Sequence, residues 1–466
     1  MTDQPRFTSE RGTAAVQAGA ADAARDLSRP RLHFRPPSGW MNDPNGTLFH
    51  DGWYHVFYQH HPYSPAWDSM HWGHARSRDL VRWEHRPVAL CPQTERGEQH
   101  CFSGCTGIRP DGSAMILYTS IGKRPSEQWA ALGSEDLDCW VPYTSNPLLA
   151  LGLHGNLEVK EWRDPFIFKA GNRDCLALGG YADGAPVVLW YEAALPDWSA
   201  WTYRGILYRH AETTLQSLEC PNFFPVGDRW VLCYSPYRPV EVVVGTLDEA
   251  TGRFDPETHG RVDLSNDFYA TNVCRDSGGR TILYGWVRGF SKPQGWNGVL
   301  SIPRVVTLGA DGHIRQNPVP EWESLRTEPD HREAVVVGTD AQVVRVAGCE
   351  WEMDAVCRPP ASGSLNLRIC DAATGRVFWT LRCGGPARCE AAGTLPIPLP
   401  AMDDRIRVRL FFDRTVAELF VDDGSICVTR VFDTGGNPVQ VEAVAEGGEG
   451  IFERLDTWRL KPVWED

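Results

Sequence analysis

Five times within residues 40–308, a small or acidic group on an extended segment precedes an apolar strand and then a second strand. The occurrences are Asn42-Asp43-Pro44, Phe102-Ser103-Gly104, Arg163-Asp164-Pro165, Glu219-Cys220-Pro221 and Asp267-Phe268-Tyr269. Counted from Asp43 through Ser103, Asp164 and Glu219 to Asp267, the steps are 60, 61, 55 and 48 residues. Long amphipathic helices are scarce in this span. Short runs such as Ala114-Met115-Ile116-Leu117-Tyr118, Pro186-Val187-Val188-Leu189-Trp190 and Thr281-Ile282-Leu283-Tyr284 alternate with Gly, Pro, Asp and Asn. Many short strands without helices mean a sandwich, a barrel or a propeller, and the near-even repeat selects a propeller of five small antiparallel sheets. The innermost strands of a propeller converge on one axis. Asp43 and Glu219, far apart in sequence, are thereby brought to face one pocket.

After Arg304-Val305-Val306-Thr307-Leu308 the pattern changes. Gln316-Asn317-Pro318-Val319-Pro320 and a short helix over residues 321–326 read as a linker. From about Val335, alternating strands with Asp422-Asp423-Gly424 as a hairpin turn point to a β-sandwich. The expected organisation is all-β: a lead-in (1–30), a five-bladed β-propeller (31–315), a linker (316–334) and a β-sandwich (335–466). The lead-in is Ala-rich at residues 14–24 but broken by Gln17, Gly19 and Asp22, and reads as loose or helical. The sandwich contains no catalytic constellation.

Composition excludes several function classes. The formal net charge of -14 leaves no electrostatic footprint for nucleic acid or an anionic membrane. The first 30 residues hold no continuous apolar segment, so neither a secretory signal nor a transmembrane span is expected. Fourteen cysteines then point to free thiols in a reducing, cytoplasmic compartment. Cys101, Cys105 and His100, or His71 and His74, have no second ligand pair at zinc-site spacing, so no metal is expected. No phosphate-cradling glycine loop appears. Nineteen tryptophans suit a sugar binder, although all-β chains are aromatic-rich in any case.

The most informative stretch is Trp40-Met41-Asn42-Asp43-Pro44-Asn45-Gly46. Pro44 drives Asp43 towards extended geometry. Asn45-Gly46 reads as a turn, and residues 47–58 as a hairpin closed by His50-Asp51-Gly52. Asp43, Asp164 and Glu219 are each expected to begin an inner strand. Glycoside hydrolysis needs two carboxyl groups across the scissile bond, one protonating the leaving oxygen and one attacking or activating water. A third carboxylate near the sugar can stabilise an oxocarbenium-like transition state. Singly, each acid is as well explained as a turn or an ion-pair partner; their shared place in the repeat makes the joint reading chemical.

These residues resemble glycoside hydrolase family 32, the β-fructofuranosidases, invertases and sucrose-6-phosphate hydrolases. The heptapeptide at residues 40–46, Arg163-Asp164-Pro165 and Glu219-Cys220-Pro221 stand intact. So do Met70-His71-Trp72-Gly73-His74-Ala75, Phe102-Ser103-Gly104, Asp267-Phe268-Tyr269-Ala270, Gly295-Trp296-Asn297-Gly298 and, near the C-terminus, Phe412-Asp413-Arg414 and Glu418-Leu419-Phe420-Val421. The resemblance implies a five-bladed propeller followed by a sandwich, with Asp43 as nucleophile, Glu219 as general acid/base and Asp164 as transition-state stabiliser. It also implies a fructosyl pocket made by Trp40, Asn42, Gln59, Trp67, Phe102, Ser103, Arg163 and Trp296, and neither metal nor organic cofactor. The implied partner is a small β-fructoside, sucrose or a short fructo-oligosaccharide. Sucrose-6-phosphate hydrolysis and fructosyl transfer are alternatives on the same intermediate, and an inactive fructan-binding module is the reading from another class. Asn222 and Thr271-Asn272 depart from the family pattern and are expected at the pocket rim. Lys123-Arg124 reads as a solvated turn, with a sugar-phosphate site as the alternative. The oligomeric state is open.

Overall fold

The computed structural model describes residues 6–384, 388–391, 397–398 and 405–465. Residues 1–5 of the expected lead-in, and 385–387, 392–396, 399–404 and 466 of the expected sandwich, lie outside the described residues.

Five antiparallel sheets follow one another along the chain. Their first strands are Gly39–His50, Glu98–Ile108, Val159–Ala170, Glu219–Val226 and Phe268–Arg275. Each first strand lies against the next, and the fifth lies against the first, so the ring closes. The fold is a five-bladed β-propeller with these five strands around its axis. Middle strands of the blades are buried on both faces by their neighbours. Ala185–Ala193 accordingly shows a continuous buried run, Val187 to Tyr191, with no polar alternation. An excursion of blade 5 crosses to blade 1. Trp296–Asn297 pairs in parallel with Gly39 and Trp40, and Gly39 N donates to Gly295 O (2.9 Å).

All five inner strands carry the same irregularity. Between Met41 and Pro44, Cys101 and Gly104, Arg163 and Phe166, Glu219 and Asn222, and Tyr269 and Asn272, three steps along the inner strand match two on its partner. Each is a β-bulge, one extra residue that bends the strand and re-aims its side chains. Asp164, Cys220 and Ala270 take left-handed backbone at these bulges (φ 64°, 47° and 47°), a conformation costly for residues with a Cβ and concentrated at functional sites. The bulges correct two expectations. Asn45-Gly46 does not end a strand. It lies within Gly39–His50, where Gly46 (φ 51°) is needed because a Cβ there would sit 2.2 Å from Thr106 Oγ1. Asp43 and Asp164 do not begin strands either; both sit mid-strand, and Glu219 alone is a first residue.

The lead-in is a helix, α1 (Ser9–Ala23), capped by Thr8, whose hydroxyl accepts from Arg11 N (3.2 Å). It covers the outer edge of blade 1: Ser9 Oγ donates to Val88 O (2.5 Å) and Val88 N donates to Thr13 Oγ1 (3.0 Å). An otherwise open sheet edge is thus occupied.

The span expected as linker holds a 3₁₀ turn at Pro320–Leu325 and then the strand Arg326–Val337, so the second unit's sheet starts before residue 335. Two six-stranded sheets follow. Trp351, Met353, Ala355 and Cys357, alternating along Glu350–Arg358, enter a core shared with Leu367, Trp379, Val441 and Ala443 of the opposite sheet. The seam with the propeller packs Leu300 and Ile302 against Phe411 and Phe420 and encloses a buried ionic cluster. Arg304 is 0 % exposed and its Nη2 donates to Glu418 Oε2 (2.6 Å), Asp263 Oδ2 (3.1 Å) and Thr429 Oγ1 (2.8 Å). His33 spans Asp413 Oδ2 (2.8 Å) and Glu418 Oε1 (3.0 Å).

Candidate active site

A cavity of about 350 Å³ opens on the propeller and is lined by Asn42, Asp43, Gln59, Trp67, Phe102, Ser103, Arg163, Asp164, Glu219, Tyr237, Tyr269, Trp286 and Arg288. Every blade contributes, and each inner strand does so at its bulge or beside it. Asp43 and Ser103 lie inside the bulges of blades 1 and 2, and Asp164 inside that of blade 3. Glu219 and Tyr269 immediately precede those of blades 4 and 5.

The three carboxylates have different surroundings. Asp43 accepts from Asn42 Nδ2 on Oδ1 (2.9 Å) and from Ser103 Oγ on Oδ2 (2.6 Å). Asn42 is oriented in turn by Trp40, whose Nε1 donates to Asn42 Oδ1 (2.7 Å). Asp43 is therefore fixed by short-range neutral donors. Glu219 is held by Tyr237 OH (2.9 Å) and Arg163 Nη2 (3.2 Å) on Oε1, and by Tyr269 OH on Oε2 (2.7 Å). Burial pushes the Tyr269 phenol well above its usual range and Glu219 pushes it further, which keeps it a donor. Asp164 is buried beneath them and accepts from Cys220 N on Oδ2 (2.9 Å). Burial raises its carboxyl to about 7. Glu219 and Asp43 add to the rise, while Arg163 and the Cys220 amide oppose it. Arg163 pairs with Glu161 (2.6 Å) and Glu219, so an ion pair with its sequence neighbour Asp164 does not account for it. The Cys220 thiol lies 3.5 Å from Asp43 Oδ2 and 3.7 Å from Asp164 Oδ2, linking the two acids through one weak donor.

The remaining expected residues divide. Gln59 faces the cavity and is anchored by donating to Cys101 O (2.8 Å). Trp67 is 47 % exposed at the mouth, stacked on His100 (4.9 Å between centroids) and edge-on to Phe102 (6.2 Å). Trp40 does not line the cavity; it acts through Asn42. Trp296 is a correction. It is 1 % exposed, packed with Ala23, Val287 and Val416, and its Nε1 donates to Asp26 Oδ2 (2.8 Å). Pairing of residue 296 with Gly39 turns the indole beneath the rim, and Trp286 takes the wall instead, edge-on to Trp40 (5.9 Å). Asn222 and Asn272 are buried below the cavity and not at its rim, because each follows its bulge down the strand. Asn272 Oδ1 accepts from Thr47 N and Oγ1 (3.1 and 2.6 Å). Lys123 and Arg124 lie on an exposed turn, where Arg124 pairs with Glu127 (3.4 Å) and is outside the cavity.

Four lining residues escaped the sequence reading: Tyr237, Tyr269, Trp286 and Arg288. Tyr269 stood inside the fifth repeat and was recoverable from it. The other three lie on second strands or the loops after them, which the repeat does not mark.

A propeller whose axis gathers three carboxylates, one paired arginine and a rim of aromatic rings defines a glycosidase. The model for the N-terminal domain of glycosyl hydrolases family 32 matches residues 33–318, and that for its C-terminal domain matches 381–459. The chain belongs to glycosyl hydrolases family 32. A sucrose-6-phosphate hydrolase of Zymomonas mobilis is 29% identical, with 93% of this chain and 92% of the relative covered. A levanase of Bacillus subtilis is 27% identical over 97% of this chain and 73% of its own length. Among solved structures, a mutant of the Bombyx mori β-fructofuranosidase in complex with sucrose superposes with a TM-score of 0.84 at 25% identity, covering 99% of this chain and 100% of that one.

Proposed function

We propose that this glycosidase is a retaining β-fructofuranosidase that releases terminal non-reducing β-D-fructofuranosyl residues from sucrose or short fructo-oligosaccharides. The observation that carries the reading is the unequal treatment of two facing acids. Asp43 is held in a fixed direction by Asn42 and Ser103, as a nucleophile must be. Glu219 is bordered by phenols and an arginine, in a setting suited to passing a proton. In the first step Asp43 attacks the anomeric carbon while Glu219 protonates the leaving oxygen. In the second, Glu219 takes a proton from water, which displaces Asp43 and frees fructose. Asp164 carries a proton over part of the neutral range in the free cavity. Its ionised form is the one that stabilises the positive charge developing on the sugar ring. Asn42, Gln59 and Arg163 supply hydroxyl partners, and Trp67, Phe102 and Trp286 supply apolar walls.

A cytoplasmic setting is part of the proposal. Buried cysteines such as Cys101, Cys105 and Cys233 are free thiols, which suits a reducing compartment. No helix among the described residues is long and apolar enough to cross a membrane.

The test is the rate of fructose release from sucrose, a short inulin-type oligomer and levan, with product analysis at high sucrose. Fructose release abolished by Asp43→Ala supports the reading. Oligosaccharide synthesis dominating over free fructose overturns simple hydrolysis.

A further inference from the structure

The three left-handed residues of the bulges, Asp164, Cys220 and Ala270, share a device. A bulge takes its extra residue out of the ladder, so a buried N–H there needs another acceptor. In all three the acceptor is a side chain of the preceding blade. Asp164 N donates to Thr119 Oγ1 of blade 2 (2.9 Å), Cys220 N to Asp164 Oδ2 of blade 3 (2.9 Å), and Ala270 N to Ser235 Oγ of blade 4 (3.1 Å). Thr119 and Ser235 hold matching places. Each follows a tyrosine late in its blade's second strand, Ala114–Gly122 and Arg229–Ser235. Both are fully buried, and neither lines the catalytic cavity.

Thr119 is the more tightly fixed of the two. Its hydroxyl donates to Oε1 of Gln128 (2.7 Å), the residue directly opposite on the third strand of blade 2. Gln128 is itself fully buried and donates through Nε2 to Trp162 O (3.5 Å), two residues before Asp164. With its proton committed to Gln128, the Thr119 oxygen presents a lone pair to the Asp164 amide. We infer that Thr119 is a positioning residue: from the blade before, it holds the left-handed backbone at Asp164 and so sets the direction of that carboxylate. The inference rests on the fructosidase reading above, in which Asp164 stabilises charge on the fructosyl ring. The effect passes on, because Asp164 Oδ2 in turn holds the Cys220 amide, next to Glu219. One buried hydroxyl thereby places two of the three acids relative to each other. Without it, the Asp164 amide is left unpaired in strained backbone, and relaxing the bulge to pair it turns the carboxylate away.

The experiment measures kcat and KM on sucrose for the wild type, Thr119→Val and Thr119→Ser, each with and without Asp164→Ala. Thr119→Val, which keeps the shape and loses the acceptor, is expected to lower kcat by about 10- to 100-fold, the size of a lost buried hydrogen bond, with KM changed less than about threefold. Thr119→Ser keeps the oxygen and should stay within about threefold of the wild type on the same grounds. In the Asp164→Ala background, Thr119→Val should lower the remaining kcat by less than about threefold, because the carboxylate it directs is gone. A merely structural role costs the same factor in both backgrounds. Gln128→Met leaves the Thr119 oxygen in place but frees its proton; it is expected to lower kcat by about three- to tenfold, and it carries the same comparison should Thr119→Val not fold. Wild-type kcat in Thr119→Val, a Thr119→Ser as slow as Thr119→Val, or an equal loss with and without Asp164 overturns the assignment. A wild type that releases no fructose from sucrose or a short inulin-type oligomer refutes the fructosidase reading instead.

Discussion

Two clusters of buried ionisable groups, one at the domain seam and one in the cavity, are put to different uses. At the seam of propeller and sandwich, Arg304 and His33 face Asp263, Asp413 and Glu418. In the cavity, Arg163 faces Asp43, Asp164 and Glu219. The seam is close to charge balance. Burial pushes Asp413 and Glu418 upward, but Arg304, His33 and backbone amides more than offset it, and both carboxyls end below their ordinary range. Only Asp263, the acid in excess, is raised. The cavity has as many cations, but Arg163 is shared with Glu161 and Arg288 pairs with no carboxylate among the described residues, and Asp164 is pushed to about 7. The first cluster locks two domains in one arrangement; the second leaves a buried carboxyl perturbed beside the reacting groups, as functional sites do.

The largest effects should come from breaking the cavity. Asp43→Ala is expected to lower kcat by roughly 10⁴-fold or more, and Glu219→Gln by about 10²- to 10⁴-fold, the range for a general acid/base. Thermal unfolding of either variant should start no earlier than in the wild type, because each removes a charge from a crowded site. The seam should respond in the opposite way. Arg304→Met leaves three acids facing His33 alone and is expected to cost about 3–5 kcal/mol of stability, read by denaturant unfolding, while kcat per folded molecule changes less than about twofold. A variant of Arg304 with wild-type stability and lost activity would reverse the comparison.

The two clusters also titrate differently. Burial lowers His33, but Asp413 and Glu418 prevail and raise it to about 9. A histidine raised on folding stabilises fully below its unfolded pKa near 6.5 and loses that contribution as pH climbs through about 9. Asp164 is an acid raised on folding, so the folded state binds the extra proton and stability falls as pH rises from about 3.8 to about 7. Unfolding curves across pH should show both slopes. His33→Gln should remove the alkaline one, and Asp164→Asn should reduce the acidic one, to which Glu98, raised by burial to about 7, also contributes. The smallest expected effect is at Trp40, which touches no cavity space. Trp40→Phe should lower kcat by roughly tenfold or less, since it frees Asn42 without removing it.

The sequence revealed the propeller because the five bulge motifs recur at nearly equal spacing, and revealed the three acids because each belongs to one of those motifs. It did not reveal the bulges. A run such as Trp40-Met41-Asn42-Asp43-Pro44-Asn45-Gly46 looks like a turn when read locally; only pairing with Trp53–His61 shows an extended strand with extra residues. Trp296 is expected in the pocket and Trp286 stands there for a related reason. Trp286 lies on the second strand of blade 5 and Trp296 on the excursion that crosses to blade 1, ten residues later. The choice was made by Asp26, an acid on the segment after the lead-in helix that ties Trp296 down, a contact across 270 residues. Thr119 was invisible because what it holds, the Asp164 amide, belongs to the next blade.

The central claim is that Asp43 forms a covalent bond to the fructosyl group. Glu219→Ala can be mixed with a β-fructoside whose leaving group departs without protonation, quenched rapidly and digested. Mass spectrometry should find one fructosyl unit on the peptide carrying Asp43. A fructosyl unit on any other residue, or none while the released fructose is inverted at its anomeric carbon, contradicts the account.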